Sequence, residues 1–310
     1  MKVLITGGAG FVGSNLARAL GNRGDQVVVL DDMSTGLASN LHGLDIALIE
    51  GSIVDQSTIM RAIDGAEAVV HLAARGSVPR SIEDPIATHQ VNATGTLNVL
   101  EAARSTGAQV IFSSSSSVYG VNDALPKAEE MWTQPMSPYG ASKLAAESYA
   151  MAYRQVYDMD VLAMRFFNVY GPYQRPDHDY AAVIPKFAWQ ALHGQPVSIH
   201  GDGEQTRDFT HVDSVVGVLT SALDRRLSWD RPVNLAFGAA MSVNGLVTEL
   251  EHQLDCRLSV THTEARRADV RNSLNDPTLL LQVFPDVQPV AFDVGIASVV
   301  KWLRGLSPAR

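Results

Sequence analysis

Along the first half of the chain, short apolar runs alternate with longer stretches of helical period. The runs Lys2–Thr6, Gln26–Leu30, Ile46–Glu50, Ala68–Leu72, Gln109–Ser113, Val161–Phe166 and Pro232–Ala236 are mostly β-branched and lack clean apolar–polar alternation. That is the pattern of strands buried on both faces. Between them, helical patterns fall near Gly13–Arg23, Asp55–Ile63, Pro85–Arg104 and Pro138–Val156. This β-α-β-α order predicts an α/β fold with a doubly wound parallel sheet. After Gly171 the rhythm changes. The loops GPYQRPDHD and HGDGEQTRD are rich in Pro, Gly and Asp, and helices are expected near Tyr180–His193, Asp213–Arg225 and Val243–Leu254. Residues 1–167 are expected to form the sheet domain, with a return near 205–236, and 168–310 a smaller, mostly C-terminal α/β lobe.

Composition narrows the function. A chain of 310 residues that is 46% hydrophobic and 18% charged can bury a substantial core. Its net charge is −9 and it has no Lys/Arg run, so a nucleic-acid partner is not expected. Any phosphate-bearing ligand must then be held by local donors. The lone Cys256 allows neither an internal disulfide nor a CxxC metal site, and no metal is expected. The apolar run Val3–Ile5 is too short for a signal peptide, and no run of about 18 apolar residues exists to span a membrane. We expect a soluble, cytoplasmic protein.

Gly7, Gly10 and Gly13 form GxxGxxG between the first strand and the first helix. Such glycines permit a tight turn and let backbone N–H groups approach a pyrophosphate at the helix N-terminus. Asp31 closes the second strand, where an acid bonds the adenosine ribose hydroxyls and repels a 2′-phosphate. The pair points to NAD in a Rossmann-type domain. Further on, Tyr139 and Lys143 stand four apart, on one face of a helix. A nearby cation lowers the cost of forming a phenolate, so the phenol can take a proton. The serines 113–117 end a strand upstream, and one of them can orient a reacting hydroxyl.

Taken in order, these motifs resemble the extended short-chain dehydrogenase/reductases that act on nucleotide sugars. The resemblance is carried by GxxGxxG, Asp31, His71-Leu72-Ala73-Ala74, Ser-Ser-Val118-Tyr119-Gly120, Ser137-Pro138-Tyr139-xxx-Lys143 and Arg165-Phe166-Phe167-Asn168-Val169-Tyr170-Gly171-Pro172. Within the family the chain is most similar to UDP-hexose 4-epimerases. The stretches Gly76–Ile82 and Tyr180–Lys186 are similar to the UDP-N-acetylglucosamine branch.

The resemblance implies roles. Tyr139 would be the acid/base, Lys143 would bind the nicotinamide ribose, and Ser115 would be the catalytic serine, with Ser116 and Ser117 as neighbours hard to separate from it. The NAD set would add Phe11, Val12, Asp32, Ser34, Thr35, Gly36, Ser52, Ile53, Leu72, Ala73, Ala74, Asn92, Ser113 and Phe166. Ser52 stands where many relatives carry an Asp. The UDP-sugar would meet Ser77, Ser115, Asn168, Val183, Ser198, His200, Arg207, Arg266 (with Arg267 as rival) and Asp269. Ser273 would be a small gate residue admitting a 2-acetamido group. Ser116-Ser117 replace the Asp-Glu that 4,6-dehydratases need, and Ser117 replaces the Glu usual in UDP-glucuronate decarboxylases. The implied activity is NAD-dependent C4 epimerisation of a UDP-hexose. Arg75 keeps a UDP-glucuronate 4-epimerase open as the nearest rival, and a non-catalytic NAD-binding sensor is the rival of another class. His71 reads as a packed strand-end histidine. A homodimer built on Pro85–Arg104 and Pro138–Val156 is the assembly the family implies.

Overall fold

A computed structural model describes residues 1–177, 181–264 and 271–306. The chain divides into two compact units. The first comprises Met1–Asp123, Glu129–Phe166 and Val216–Leu235; the second comprises Ala124–Ala128, Phe167–Val215 and Ala236–Arg310.

The first unit is built on a seven-stranded sheet. Its strands are β1 (Lys2–Thr6), β2 (Gln26–Asp31), β3 (Ala47–Glu50), β4 (Ala68–His71), β5 (Gln109–Ser115), β6 (Val161–Phe166) and the edge strand Val233–Leu235. The order is β3-β2-β1-β4-β5-β6-edge, and every neighbouring pair is parallel. Burial explains the sequence pattern. Leu4, Val28, Leu30, Val69, Val110, Phe112 and Ala163 enter one core with residues of the flanking helices. Their strand neighbours Val3, Ile5, Val29, Val70, Ile111 and Leu162 are equally inaccessible, so the opposite face is covered too. This is a Rossmann-type sheet. The order turns back between β1 and β4, and a crevice at such a switch point is where ligands bind in α/β folds.

The helices of this unit are α1 (Phe11–Asn22), α2 (Gln56–Ala62), α3 (Val78–Glu83), α4 (Pro85–His89), α5 (Gly95–Thr106) and α6 (Pro138–Tyr157). The run expected as one helix over Pro85–Arg104 is interrupted by a π-helical turn, Gln90–Thr94, between α4 and α5. The reason is local: Asn92 sits in that turn with its amide committed elsewhere, as described below. Start and stop signals are plain in α6. Ser137 caps it through Gly140 N–H at 3.1 Å, Pro138 opens its first turn, and Asp158 ends it in the left-handed region at φ 52. Ile86 on α4, and Tyr149 and Val156 on α6, stand exposed.

The second unit packs the helices Val183–Leu192, Val243–Leu254 and Phe292–Leu306 around Ile184, Phe187, Leu246, Leu250, Ile296, Val299 and Leu303. Three small strand pairs accompany them. Thr210–His211 runs parallel to Val169–Tyr170, Val260–Thr263 parallel to Val197–His200, and Ala240–Ser242 antiparallel to Thr206–Asp208. The chain re-enters the first unit over Val216–Leu235. The helices Thr278–Val283 and Phe292–Leu306 lie outside the expectations above. No described helix is long and apolar enough to cross a membrane, and no cluster of metal-ligating side chains occurs among the described residues.

Candidate active site

A cleft of about 390 Å³ opens at the switch point of the sheet. Of the residues expected around NAD, Gly7, Gly10, Asp31, Asp32, Ser34, Thr35, Ile53, Leu72, Ala73 and Ala74 line it. Leu30, Gly51, Arg75, Arg80 and Val91 line it as well. The glycine turn fits its expected use. Gly7 has φ +70, and a Cβ there would sit 2.7 Å from the Ala73 amide nitrogen, so only glycine lets this turn lie against the end of β4. A Cβ on Gly13 would run into the Gly7 carbonyl oxygen. Phe11 and Val12 open α1, whose first turn has no side-chain cap and no acid. Its amides are thus offered to a ligand phosphate.

The Asp31 carboxylate is built into this turn. It accepts from Ala9 N–H and Met33 N–H, each at 2.9 Å, and a Cβ on Gly36 would meet it at 2.7 Å. Burial pushes Asp31 up from its ordinary range, and those amides pull it back. Asp32 instead accepts from the Ser34 hydroxyl at 2.6 Å. No arginine stands between Asp31 and Gly36. A dinucleotide with a free adenosine ribose suits this cradle. Ser52 takes the amide of Val54 at 3.2 Å and is not part of the cleft lining.

The three serines ending β5 separate by what they touch. The Ser113 hydroxyl donates to the His71 carbonyl at 3.1 Å, tying β5 to β4. Ser114 donates to Glu147 at 2.6 Å. Ser115 is the one whose hydroxyl faces the Tyr139 phenol closely enough to lower it. Ser116 and Ser117 turn away in a short 3₁₀ turn, with Ser117 N–H on the Ser115 hydroxyl at 3.1 Å. Strand register, invisible among five like residues, thus singles out Ser115. Phe166 lies beside it across the sheet.

Lys143 is 3% exposed, and its ammonium donates to the Ser113 carbonyl at 2.6 Å. Burial pulls it down to about 8, with the Glu147 carboxylate opposing the fall. Burial pushes the Tyr139 phenol above its ordinary range, and the Ser115 hydroxyl offsets part of that. In the chain by itself the phenol therefore stays protonated near neutrality.

Asn92 is a buried hinge pin. Its Oδ1 accepts the Arg75 amide at 2.7 Å, and its Nδ2 donates to the Arg75 carbonyl at 3.3 Å and to the Ser142 hydroxyl at 2.9 Å. Ser142 in turn donates to the Tyr139 carbonyl at 2.8 Å. One amide thus couples the cleft wall to the helix that carries Tyr139. Arg75 itself leans on Asp84 at 3.4 Å, a long ion pair that leaves its buried Nε unpartnered among the described residues.

His71 is fully enclosed. Its Nδ1 lies 2.7 Å from Thr6 Oγ1, and its Nε2 lies 2.9 Å from Thr96 Oγ1. Thr96 donates onward to the Asn92 carbonyl at 2.6 Å, so it must accept from His71 Nε2–H. Thr6 accepts from Ala73 N–H at 3.3 Å and so donates to Nδ1. The ring is satisfied only when neutral, and burial, then the Lys143 charge, lowers it to about 3. Its stabilising contribution is complete above about 6.5 and is lost as pH falls toward about 3, because the unfolded imidazole takes a proton that the folded one refuses. Between pH 6 and 5 this costs up to about 1.4 kcal/mol per pH unit. Urea unfolding at the two pH values should show this slope, and His71→Gln should lose it. An equal slope in both proteins would defeat the assignment.

In the second unit, Asn168 donates to the Asp208 carbonyl at 3.2 Å, beside Arg207. Arg207 donates to the Thr206 and Arg271 carbonyls at 2.8 and 3.2 Å. Ser273 joins the same place, its amide on the Thr206 carbonyl at 3.1 Å. Asn168, Arg207 and Ser273 are therefore neighbours. Ser198 and His200 lie on another strand, with His200 Nδ1 at 2.8 Å from Thr263 Oγ1, and Val183 opens the helix Val183–Leu192. Ser77, in the first unit, adopts φ 86 and caps α3 through the Arg80 amide at 3.4 Å. Arg266, Arg267, Asp269 and Tyr180 lie outside the described residues.

The pattern reading missed Glu147 and Arg165. They form a bidentate buried pair at 2.7 and 3.0 Å, and Arg165 also donates to Tyr119 Oη at 2.8 Å. A signal existed: Glu147 continues the four-residue spacing of Tyr139 and Lys143.

Comparisons with known proteins place the chain in a family. The model of the NAD dependent epimerase/dehydratase family matches residues 3–236. A UDP-glucose 4-epimerase of Mycolicibacterium smegmatis is 38% identical over 99% of this chain and 100% of its own. The structure of a UDP-N-acetylglucosamine 4-epimerase from Methanobrevibacter ruminantium, in complex with UDP-N-acetylmuramic acid, superposes with a TM-score of 0.93 at 33% identity, covering 99% of both chains. A Thermus thermophilus UDP-glucose 4-epimerase in complex with NAD gives 0.89 at 33% identity, covering 99% of this chain and 100% of that one. The chain belongs to the NAD-dependent epimerase/dehydratase family.

Proposed function

We propose that the protein interconverts the C4 epimers of a UDP-hexose, with UDP-glucose/UDP-galactose and UDP-N-acetylglucosamine/UDP-N-acetylgalactosamine as its substrates. The observation that carries this reading is the meeting of Ser115, Tyr139 and Lys143 at the end of β5, with only serines at 116 and 117. Bound NAD would supply the hydride acceptor and donor for C4 and the positive charge of its nicotinamide ring. Lys143 adds its own charge, so the phenol can reach the phenolate state on the loaded enzyme. Ser115 orients the C4 hydroxyl, and Tyr139 takes its proton. The 4-keto sugar turns within the site, and Tyr139 returns the proton once the opposite face of C4 has been reduced. No second acid or base is needed, and the positions after Ser115, Ser116 and Ser117, supply none. Asn168 and Arg207 are the donors we assign to the diphosphate. Ser273, small and next to Arg207, leaves room for a 2-acetamido group.

The test is direct. The purified protein is incubated separately with UDP-glucose, UDP-N-acetylglucosamine and UDP-glucuronate, and anomeric proton NMR follows each. Both neutral sugars should yield their C4 epimers. Conversion of UDP-glucuronate alone would move the assignment to Arg75, whose unpartnered Nε favours that second reading. No conversion of any sugar by NAD-loaded protein would sink the epimerase reading and leave a sensor.

A further inference from the structure

Glu147 stands one helical turn beyond Lys143 and two beyond Tyr139, so the three side chains share a face of α6. No step above uses it. Its carboxylate is buried and held from two sides, by the Ser114 hydroxyl at 2.6 Å and by both prongs of Arg165 at 2.7 and 3.0 Å. Ser114 lies between Ser113, whose carbonyl receives Lys143, and Ser115, which faces Tyr139. Three consecutive residues of β5 thus meet three successive turns of α6. A buried ion pair is seldom more stable than apolar residues of the same volume, so the charge calls for a use.

We infer that Glu147 is a positioning residue of the active site. Its carboxylate fixes α6 against β5 and, through its field, holds the Lys143 ammonium on the Ser113 carbonyl next to Tyr139. This rests on the reading of Tyr139 and Lys143 as the proton-handling pair. The ionisable groups facing Lys143 are Tyr139 and Glu147 on its own helix, His71 at the end of β4, and Arg165 of β6 behind Glu147. His71 is neutral, so Glu147 is the anion that counters the burial of Lys143. On the other helices packed against α6, Glu101 and Arg104 of α5 pair with each other, and Glu101 accepts from Tyr153. Arg80 and Glu83 of α3 and His89 of α4 complete the set.

The experiment reads Lys143 itself. The chain has five lysines, Lys2, Lys127, Lys143, Lys186 and Lys301, so Cε-labelled lysine gives an NMR spectrum simple enough to assign with Lys143→Met. Glu147→Gln keeps an acceptor oxygen for Ser114 and Arg165 but removes the charge. The Lys143 titration midpoint should fall by about one pH unit. The alkaline limb of kcat should move down with it, while KM and kcat below about pH 6.5 stay within about threefold. Glu147→Asp should keep the original midpoint. An unmoved midpoint, or a uniform loss of kcat at every pH, would overturn the inference. Should Glu147→Gln fail to fold, Glu147→Leu with Arg165→Met removes both halves of the buried Glu147–Arg165 pair, and its Lys143 midpoint must fall in the same direction or the inference fails. The NMR midpoint needs no sugar turnover, so a failure of the proton-pair reading shows separately, as inactivity of the wild type.

Discussion

Tyr139→Phe should lower kcat by about 10³-fold while leaving the affinities for NAD and for UDP-sugar within about threefold. The change removes one oxygen. The ring stays where α6 puts it, because Ser137 caps the helix independently and Ser142 holds the Tyr139 carbonyl, not its phenol. Ser115 is buried but keeps the Ser117 amide as a partner, and its hydroxyl stays available to substrate. On the proposed function, what disappears is the acceptor for the C4 hydroxyl proton, a group needed in both halves of that reaction. A loss confined to kcat therefore separates proton handling from binding. Single-turnover NMR, with NAD and UDP-sugar binding measured calorimetrically, checks this. A tenfold rise in either dissociation constant would make Tyr139 a binding residue. In the wild type the same rate should fall as pH rises through about 8, because Lys143 then loses the proton whose charge favours the phenolate.

The second large effect concerns stability. Arg165→Met should cost about 3–5 kcal/mol, because it strips the buried Glu147 carboxylate of both guanidinium hydrogen bonds and leaves it the Ser114 hydroxyl and the more distant Lys143 charge. Tyr119 loses the Arg165 donor at the same time, while its own bond to Asn234 at 2.8 Å remains. The thermal midpoint should drop on the order of 10 °C. Adding Glu147→Leu should restore most of it, since that carboxylate is gone. If the double variant melts no higher than the single one, the cost lies in lost packing of the arginine stem and not in the orphaned carboxylate.

The strands were open to reading because of where they lie. All seven in the sheet sit within two residues of their apolar runs, and in the central ones burial on both faces excludes polar residues from Val3–Ile5, Val27–Leu30 or Val69–Val70. The strands of the second unit gave no such signal. Thr206–Asp208 and Ala240–Ser242 are three residues each and half exposed, too short for any period. Phe292–Leu306 did carry one, with Ile296, Val299, Val300 and Leu303 three and four apart. In the site, Gly7, Gly13 and Asp31 were legible because backbone geometry dictates their type. Ser115 was chosen over Ser116 and Ser117 through the resemblance alone, since the residues themselves do not show where β5 stops. Glu147 and Arg165 are 18 positions apart and meet only when β6 is laid beside β5 and α6 over both. Arg75 was legible as a cation near the cofactor cleft, but its contact with Asp84 depends on the bend between α3 and α4.

A π turn closes with one residue more than an α turn does. One residue of helix corresponds to about 100° of rotation. The segment Gln90–Thr94 therefore works like an added gear tooth between α4 and α5. It sets the angle at which the Asn92 amide faces Arg75 on one side and Ser142 on the other. Deleting one residue there would give a more regular helix and a worse enzyme, because everything on one side of the cut would turn out of phase with the other. The helix gives up its regular ladder over one turn, and in return the loop that walls the cleft and the helix that carries Tyr139 keep a common phase.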